Sequence, residues 1–225
     1  MRRGLEIVAQ DLHKAYEGGL VFALRGVDLK VERGERVAVI GPTGCGKSTL
    51  LALLALLDRP DRGEILIDDL PASSLHHPEE WRNREVGIVF QFHYLLPHLT
   101  VEENVALPVL DGRDKGFARA RELVDRLGLG SRARTLASVL SGGERQLAAL
   151  ARALVNDPAF VLADEPTGSV DSATGGRILD ELLGWADRCG GTLVVVTHDP
   201  SVAGRMDRTM QMRDGRVVDG GKPAS

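Results

Sequence analysis

Hydrophobic positions change their period twice along this chain. Leu5 to Val8, Val21 to Val31 and Arg36 to Ile40 alternate or run apolar in the manner of strands. Gly63 to Asp68 is a further strand, announced by the turn Pro60-Asp61-Arg62-Gly63. Leu50 to Leu57 is an apolar run that reads as a helix, so the first third is mainly sheet around one helix. Between about Phe92 and Val155 the period becomes helical, with Phe117, Ala120, Val124 and Leu127 on one face that stops at Gly128. Thereafter Phe160-Val161-Leu162-Ala163 and Thr192-Leu193-Val194-Val195-Val196 form short, almost wholly apolar strands, separated by a helix carrying Ile178, Leu179, Leu182 and Leu183. Strands of that kind, separated by helices, predict an α/β fold with a parallel sheet covered on both faces. No internal repeat stands out, and only Gly220-Gly221-Lys222-Pro223-Ala224-Ser225 reads as loose.

Composition narrows the setting. With 225 residues and 43% apolar content the chain can build a packed core. Its net charge of −4 argues against a broad basic face, so no nucleic-acid partner is expected. The longest apolar run is far shorter than the roughly 20 residues that cross a bilayer. The opening Met1-Arg2-Arg3-Gly4-Leu5-Glu6 lacks the apolar core of a secretory signal, which predicts a cytosolic location. Cys45 and Cys189 are the only cysteines, so no structural disulfide is expected and Cys45 reads as a small loop residue. His76, His77, His93 and His98 lack the spacing of a zinc site.

The chemistry concentrates at Gly41-Pro42-Thr43-Gly44-Cys45-Gly46-Lys47-Ser48-Thr49, a complete G-x-x-x-x-G-K-[ST] phosphate-binding loop between a strand and a helix. Glycines let the backbone wrap an anion, so that successive N–H groups and the positive end of the new helix face one phosphate chain. Lys47 is expected to reach the terminal phosphates, and the Ser48 hydroxyl to hold a magnesium ion. In parallel sheets ligands collect at the carboxyl ends of strands. Two further strands deliver Asp164-Glu165 and Thr197-His198-Asp199 to such ends. Asp164 suits the magnesium shell, Glu165 a general base toward the attacking water, and His198 a hydrogen bond to the terminal phosphate. Alone, an Asp-Glu pair is as well read as a helix cap and a histidine as structural; the phosphate loop beside them favours nucleotide hydrolysis.

Leu140-Ser141-Gly142-Gly143-Glu144-Arg145-Gln146 contains a capping box, Ser141 with Glu144, for the helix running to Leu154. Two glycines in a first helical turn also expose backbone N–H groups, as an anion site requires. This segment resembles the signature of the ABC ATPases. The resemblance covers nearly the whole chain in the family's order: Tyr16, the phosphate loop, Gln91, the signature, Asp164-Glu165, Asp171 and His198. It implies a P-loop NTPase with a RecA-like parallel-sheet core, an antiparallel β subdomain and an inserted α-helical subdomain. All belong to one ABC ATPase domain, with residues 1–91 and 156–225 forming the core and 92–155 the helical signature part.

Residue by residue, the resemblance implies that Tyr16 stacks on adenine and that Gln91 senses magnesium and water while linking the core to the helical part. Ser141 and Gly143 match signature residues that meet the terminal phosphate of ATP held by a second subunit. Asp171 matches the carboxylate of a loop crossing that interface. ATP and Mg2+ are the implied cofactors, in a head-to-tail ATP-sandwich homodimer. Ser169-Val170 stands where relatives often have Asn-Leu, and Cys45 where they have Ser. The stretch Val89 to Val105, with Asp164-Glu165-Pro166-Thr167-Gly168, looks like lipoprotein-releasing, macrolide-exporting and cell-division ABC ATPases. That group implies an ATPase subunit powering an integral membrane permease from the cytoplasmic face, in export or extraction of lipoprotein or another hydrophobic substrate. The alternative is a regulatory ATPase that drives a membrane partner without transport. Leu95, Leu96, Pro97 and Leu99 are candidates for the groove that receives a helix of that partner, or else pack inside the helical part.

Overall fold

The structure is a computed structural model that describes residues 4–110 and 112–219. The tail from Gly220 to Ser225 and the opening Met1-Arg2-Arg3 lie outside the described residues. In chain order the first elements are β1 (Ile7–Tyr16), β2 (Val21–Val31), β3 (Arg36–Ile40), α1 (Lys47–Leu54), β4 (Arg62–Ile67) and β5 (Leu70–Pro71). Next come α2 (Pro78–Glu85), β6 (Val86–Val89), α3 (Val101–Ala106), α4 (Arg113–Arg126) and α5 (Gly142–Leu154). The chain continues through β7 (Phe160–Asp164), α6 (Ser172–Cys189), β8 (Thr192–Val196), α7 (Pro200–Ala203), β9 (Arg208–Arg213) and β10 (Arg216–Asp219).

Two sheets result. One is antiparallel, in the order β2-β1-β4-β5; the other runs β10-β9-β3-β8-β7-β6, parallel except for β10 at its edge. The apolar runs of the parallel strands divide by alternation, because successive side chains point to opposite faces. Val37, Val39, Phe160, Leu162, Val194 and Val196 join α1 and the antiparallel sheet in one core. Ala38, Val161, Ala163, Leu193 and Val195 join α4, α5 and α6 in the other. Strands buried on both faces read as continuous apolar runs, which is the α/β signature anticipated from the sequence. Of the predicted face, Ala120 and Val124 are buried on α4 and Leu127 just past its end, Phe117 is half-buried, and Gly128 follows with φ 73°.

Boundaries moved where local geometry overrides pattern. Strand β1 runs on to Tyr16, well past Val8, because register shifts between Ala9 and Leu12 and beyond break its alternation without breaking its pairing. Helix α1 begins at Lys47, three residues before the apolar run. The sequence pattern missed α2, β6, β9 and β10 altogether.

Candidate functional site

Strand β3 ends at Ile40 in the middle of the parallel sheet, and the turn into α1 carries the phosphate loop. Gly46 caps the helix at φ 104°, where a Cβ would run into the Ala23 carbonyl. The loop therefore approaches β2 closely and leaves its backbone N–H groups unshielded by side chains. Lys47 is buried, and its Nζ donates to the carbonyls of Gly41 (2.8 Å) and Pro42 (2.9 Å). Cys45 is buried behind the loop with Sγ 4.0 Å from the same ammonium. The lysine is thus parked under the loop that a phosphate chain would occupy.

Asp164 stands at the end of β7, next to β8 and two strands from β3. Burial pushes its carboxyl above the usual range, opposed by a hydrogen bond from Ser48, while neighbouring Glu165 raises it and Lys47 lowers it. Ser48 and Asp164 offer only oxygen donors, the set a hard divalent cation such as magnesium takes. Glu165 departs from ordinary strand geometry, with φ 45°. Its N–H donates to the Val196 carbonyl (2.8 Å), so the last pairing with β8 turns its side chain toward the sheet end. There Glu165 Oε1 lies 2.7 Å from His198 Nδ1, and Oε2 accepts from Thr197 Oγ1 at 3.3 Å. The Glu165 side chain is only 12% exposed against 73% for His198, so the carboxylate is sheltered by a histidine open to solvent.

One cleft of about 440 Å³ collects these groups. Tyr16, Thr43, Gly44, Gly46, Lys47, Ser48, Thr49, Gln91, Asp164, Glu165 and His198 all line it. Gly41, Pro42 and Cys45 contribute from behind, through the lysine contacts above. Ser141, Gly143 and Asp171 are not there. They line a separate cleft of about 610 Å³ between the start of α5 and the start of α6, with Ser169 and Thr174. Ser141 and Glu144 form the capping box, with Glu144 N to Ser141 Oγ at 3.2 Å and Ser141 N to Glu144 Oε2 at 2.8 Å. Asp171 caps α6, accepting from Thr174 N (3.0 Å) and Thr174 Oγ1 (2.7 Å), and these bonds hold its carboxyl below the usual range. A Cβ on Gly143 would stand 3.1 Å from Thr174 Cγ2, so the absence of a side chain lets the two helix starts close up.

Sequence reasoning passed over several contributors. Thr197 is wholly buried and bonded to Glu165; only its place beside His198 hinted at it. Gln146, also wholly buried, donates to the Pro166 carbonyl (3.0 Å) and so ties the signature helix to the residue after Glu165. Phe90, Tyr94, Arg82, Ile88, Pro108 and Arg152 line a groove of about 360 Å³. Leu95, Leu96, Pro97 and Leu99 do not, because Asn104 gathers that segment, bonding Leu96 N (2.7 Å) and the Leu96 (3.1 Å) and Leu99 (3.2 Å) carbonyls. Leu95 packs on the helical core, whereas Leu96 and Pro97 are exposed.

Residues 24–168 match the family described as "ABC transporter". The lipoprotein-releasing system ATP-binding protein LolD of Shewanella oneidensis is 45% identical over 92% of this chain and 93% of that protein. LolD of Bordetella pertussis is 46% identical over 95% and 96%. Among solved structures, the ATP-binding cassette MJ0796, as a post-hydrolysis dimer bound to ADP and Pi, superposes with a TM-score of 0.88. Its identity is 37%, with 94% of this chain and 96% of that one covered. The cassette cbiO1 from Clostridium perfringens, part of the complex cbiONQ, gives a TM-score of 0.83 at 28% identity, covering 96% and 88%.

Proposed function

This chain belongs to the ABC transporter family and hydrolyses ATP, and from that premise we propose that it powers a lipoprotein-releasing membrane complex through a dimer that closes on ATP. The likeness to LolD over nearly the full length of both chains favours that reading over a cell-division type of regulator. Among the described residues no helix is long and apolar enough to cross a membrane. In this reading the transmembrane work belongs to a permease, with this subunit peripheral on its cytoplasmic side. The groove bounded by Phe90, Tyr94 and Arg152 is the surface offered to a helix of that partner.

The observation that carries the chemistry is the Glu165 carboxylate, sheltered in the nucleotide cleft and held by His198 and Thr197. Glu165 takes the proton of the attacking water, and His198 holds the carboxylate in place and faces the terminal phosphate. Lys47 leaves the Gly41 and Pro42 carbonyls for the phosphate oxygens, a stronger charge-assisted partner. Ser48 and Asp164 would hold magnesium, with Gln91 near it; bound there, the ion neutralises charge on the phosphates. Ser141, Gly143 and Asp171 serve the ATP of a second copy, since their cleft is separate from the phosphate loop of their own chain.

The test is Glu165→Gln, measured for ATP binding, phosphate release and lipoprotein release from proteoliposomes holding the permease. Binding should survive while turnover falls about 10²- to 10⁴-fold, the usual contribution of a general base, and lipoprotein stays in the bilayer. Turnover at the wild-type rate would remove Glu165 from the base role. Hydrolysis-linked release of some other substrate, but not lipoprotein, would overturn the substrate assignment.

A further inference from the structure

Tyr16, which lines the nucleotide cleft, is fastened to a loop that no motif covers. Its hydroxyl donates to Asp58 Oδ2 at 3.2 Å. Asp58 Oδ1 in turn accepts from Lys14 Nζ at 2.8 Å, and the same ammonium donates to the Arg59 carbonyl at 2.8 Å. That ammonium lies 5.4 Å from the centroid of the Tyr16 ring. Asp61 completes the attachment: Oδ2 accepts from Ala15 N at 2.7 Å, and its own N–H donates to the His13 carbonyl at 2.8 Å. The segment from Asp58 to Asp61 is thus bonded to four consecutive residues, His13 to Tyr16, at the end of β1.

The location of that segment gives the contacts meaning. It begins three residues past the end of α1, after Ala55, Leu56 and Leu57, and the first residue of that helix is Lys47. The phosphate loop precedes this eight-residue helix, and the segment that holds the tyrosine follows it after a three-residue turn. We propose that Asp58 and Lys14 are positioning residues for the nucleobase, orienting the Tyr16 ring so that the base platform is tied to the loop leaving the helix that the phosphate cradle enters. Asp58 fixes the ring through its hydroxyl, and Lys14 occupies the space beside one face, directing the purine of a nucleoside triphosphate to the other. The Lys14 side chain is only 11% exposed, and its ammonium pKa stands above the ordinary value, chiefly through the Asp58 bond. The Asp58 carboxyl is correspondingly held low by Lys14 first, with the Arg59 N–H and the tyrosine hydroxyl adding to it. The proposal rests on the reading of Tyr16 as the base platform.

The experiment compares two ligands on the full chain by titration calorimetry: ATP, and inorganic tripolyphosphate, which has the phosphates but no base. Tyr16→Ala should weaken ATP about tenfold, as loss of one stacked base does. Asp58→Ala and Tyr16→Phe should each weaken ATP about three- to tenfold by freeing the ring, about the net contribution of one ordinary hydrogen bond. The double variant Tyr16→Phe/Asp58→Ala should be no weaker than the worse single one, because both remove the same bond. Tripolyphosphate affinity should stay unchanged throughout, which general damage to the fold would not allow. Asp58→Asn keeps an acceptor for the hydroxyl and should fall between wild type and Asp58→Ala; it carries the test if Asp58→Ala does not fold. Unchanged ATP affinity in the Asp58 variants, multiplying effects in the double variant, or parallel loss of tripolyphosphate would each overturn the proposal. Unchanged ATP affinity in Tyr16→Ala would instead remove the base-platform reading on which it stands.

Discussion

At Gly46 the backbone stands at φ 104°, and a side chain would meet the Ala23 carbonyl of β2. Both obstacles act on the residue that opens α1, so an added methyl must displace the loop or the strand. Backbone strain of this type costs about 1–3 kcal/mol before any clash is counted. Gly46→Ala should therefore weaken ATP binding by about tenfold or more, read by calorimetry. Its neighbour tells the opposite story. Cys45 is buried and does not line the cleft, its sulfur lying against Gly41 and the lysine. Serine there changes a small side chain for one of nearly equal size. The identity of the glycine was readable from the motif because backbone approach to an anion has few solutions. The resting partners of Lys47 were not, since carbonyls are available at every residue and no pattern marks the two it takes.

Element boundaries and registry depend on contacts that are distant in sequence. Strand β3 is keyed to β9 through Arg36, whose N–H and guanidinium both reach Asp207, the residue before β9. Asp207 N returns a bond to the Arg36 carbonyl at 2.8 Å. The Arg36 guanidinium holds the Asp207 carboxyl below the usual range against a smaller opposing effect of burial. A carboxylate whose pKa is depressed by folding adds stability above its unfolded pKa and loses it as pH falls through the folded one. Asp207→Asn should lower the melting temperature by about 2–4 °C near neutral pH, for about 1 kcal/mol after solvent screening. The difference from wild type should close as pH drops below about 4, the unfolded carboxylate range, in paired thermal melts. A gap independent of pH would mean that the aspartate acts by shape alone. This pairing also explains what the sequence could not disclose. Strand β9 alternates, with Met210 and Met212 buried, but its arginines and glutamine make it read as a surface loop until Arg36 and β3 are beside it. Helix α2, Pro78–Glu85, is polar on nearly every side and buries no residue, so it carried no apolar period to find. Strands β7 and β8 were legible because both their faces are covered.

The whole molecule presents two separate clefts. The phosphate loop, Glu165 and His198 share one cleft, while Ser141, Gly143 and Asp171 share another. The order of motifs identified both sets, because each is local, but the sequence alone could not show that they fail to meet within one chain. A helix N-terminus with two glycines is an anion site only if an anion can approach it. Its own chain brings none there, whereas a second copy turned head to tail would bring a terminal phosphate. Gly143 is the place to separate the two arrangements, since a side chain there projects toward Thr174 at the rim without touching the phosphate loop. In a Glu165→Gln background, Gly143→Asp should leave ATP affinity of the monomer within about twofold, as expected for distant sites without shared partners. The same change should abolish the ATP-induced dimer in light scattering, because a carboxylate would face the partner's terminal phosphate across a desolvated gap, where like charges repel most strongly. If monomer affinity fell instead and dimerisation followed it down in proportion, the signature would be acting on its own chain's nucleotide. Persistence of the dimer at wild-type strength would place the second copy somewhere other than the glycine face of α5.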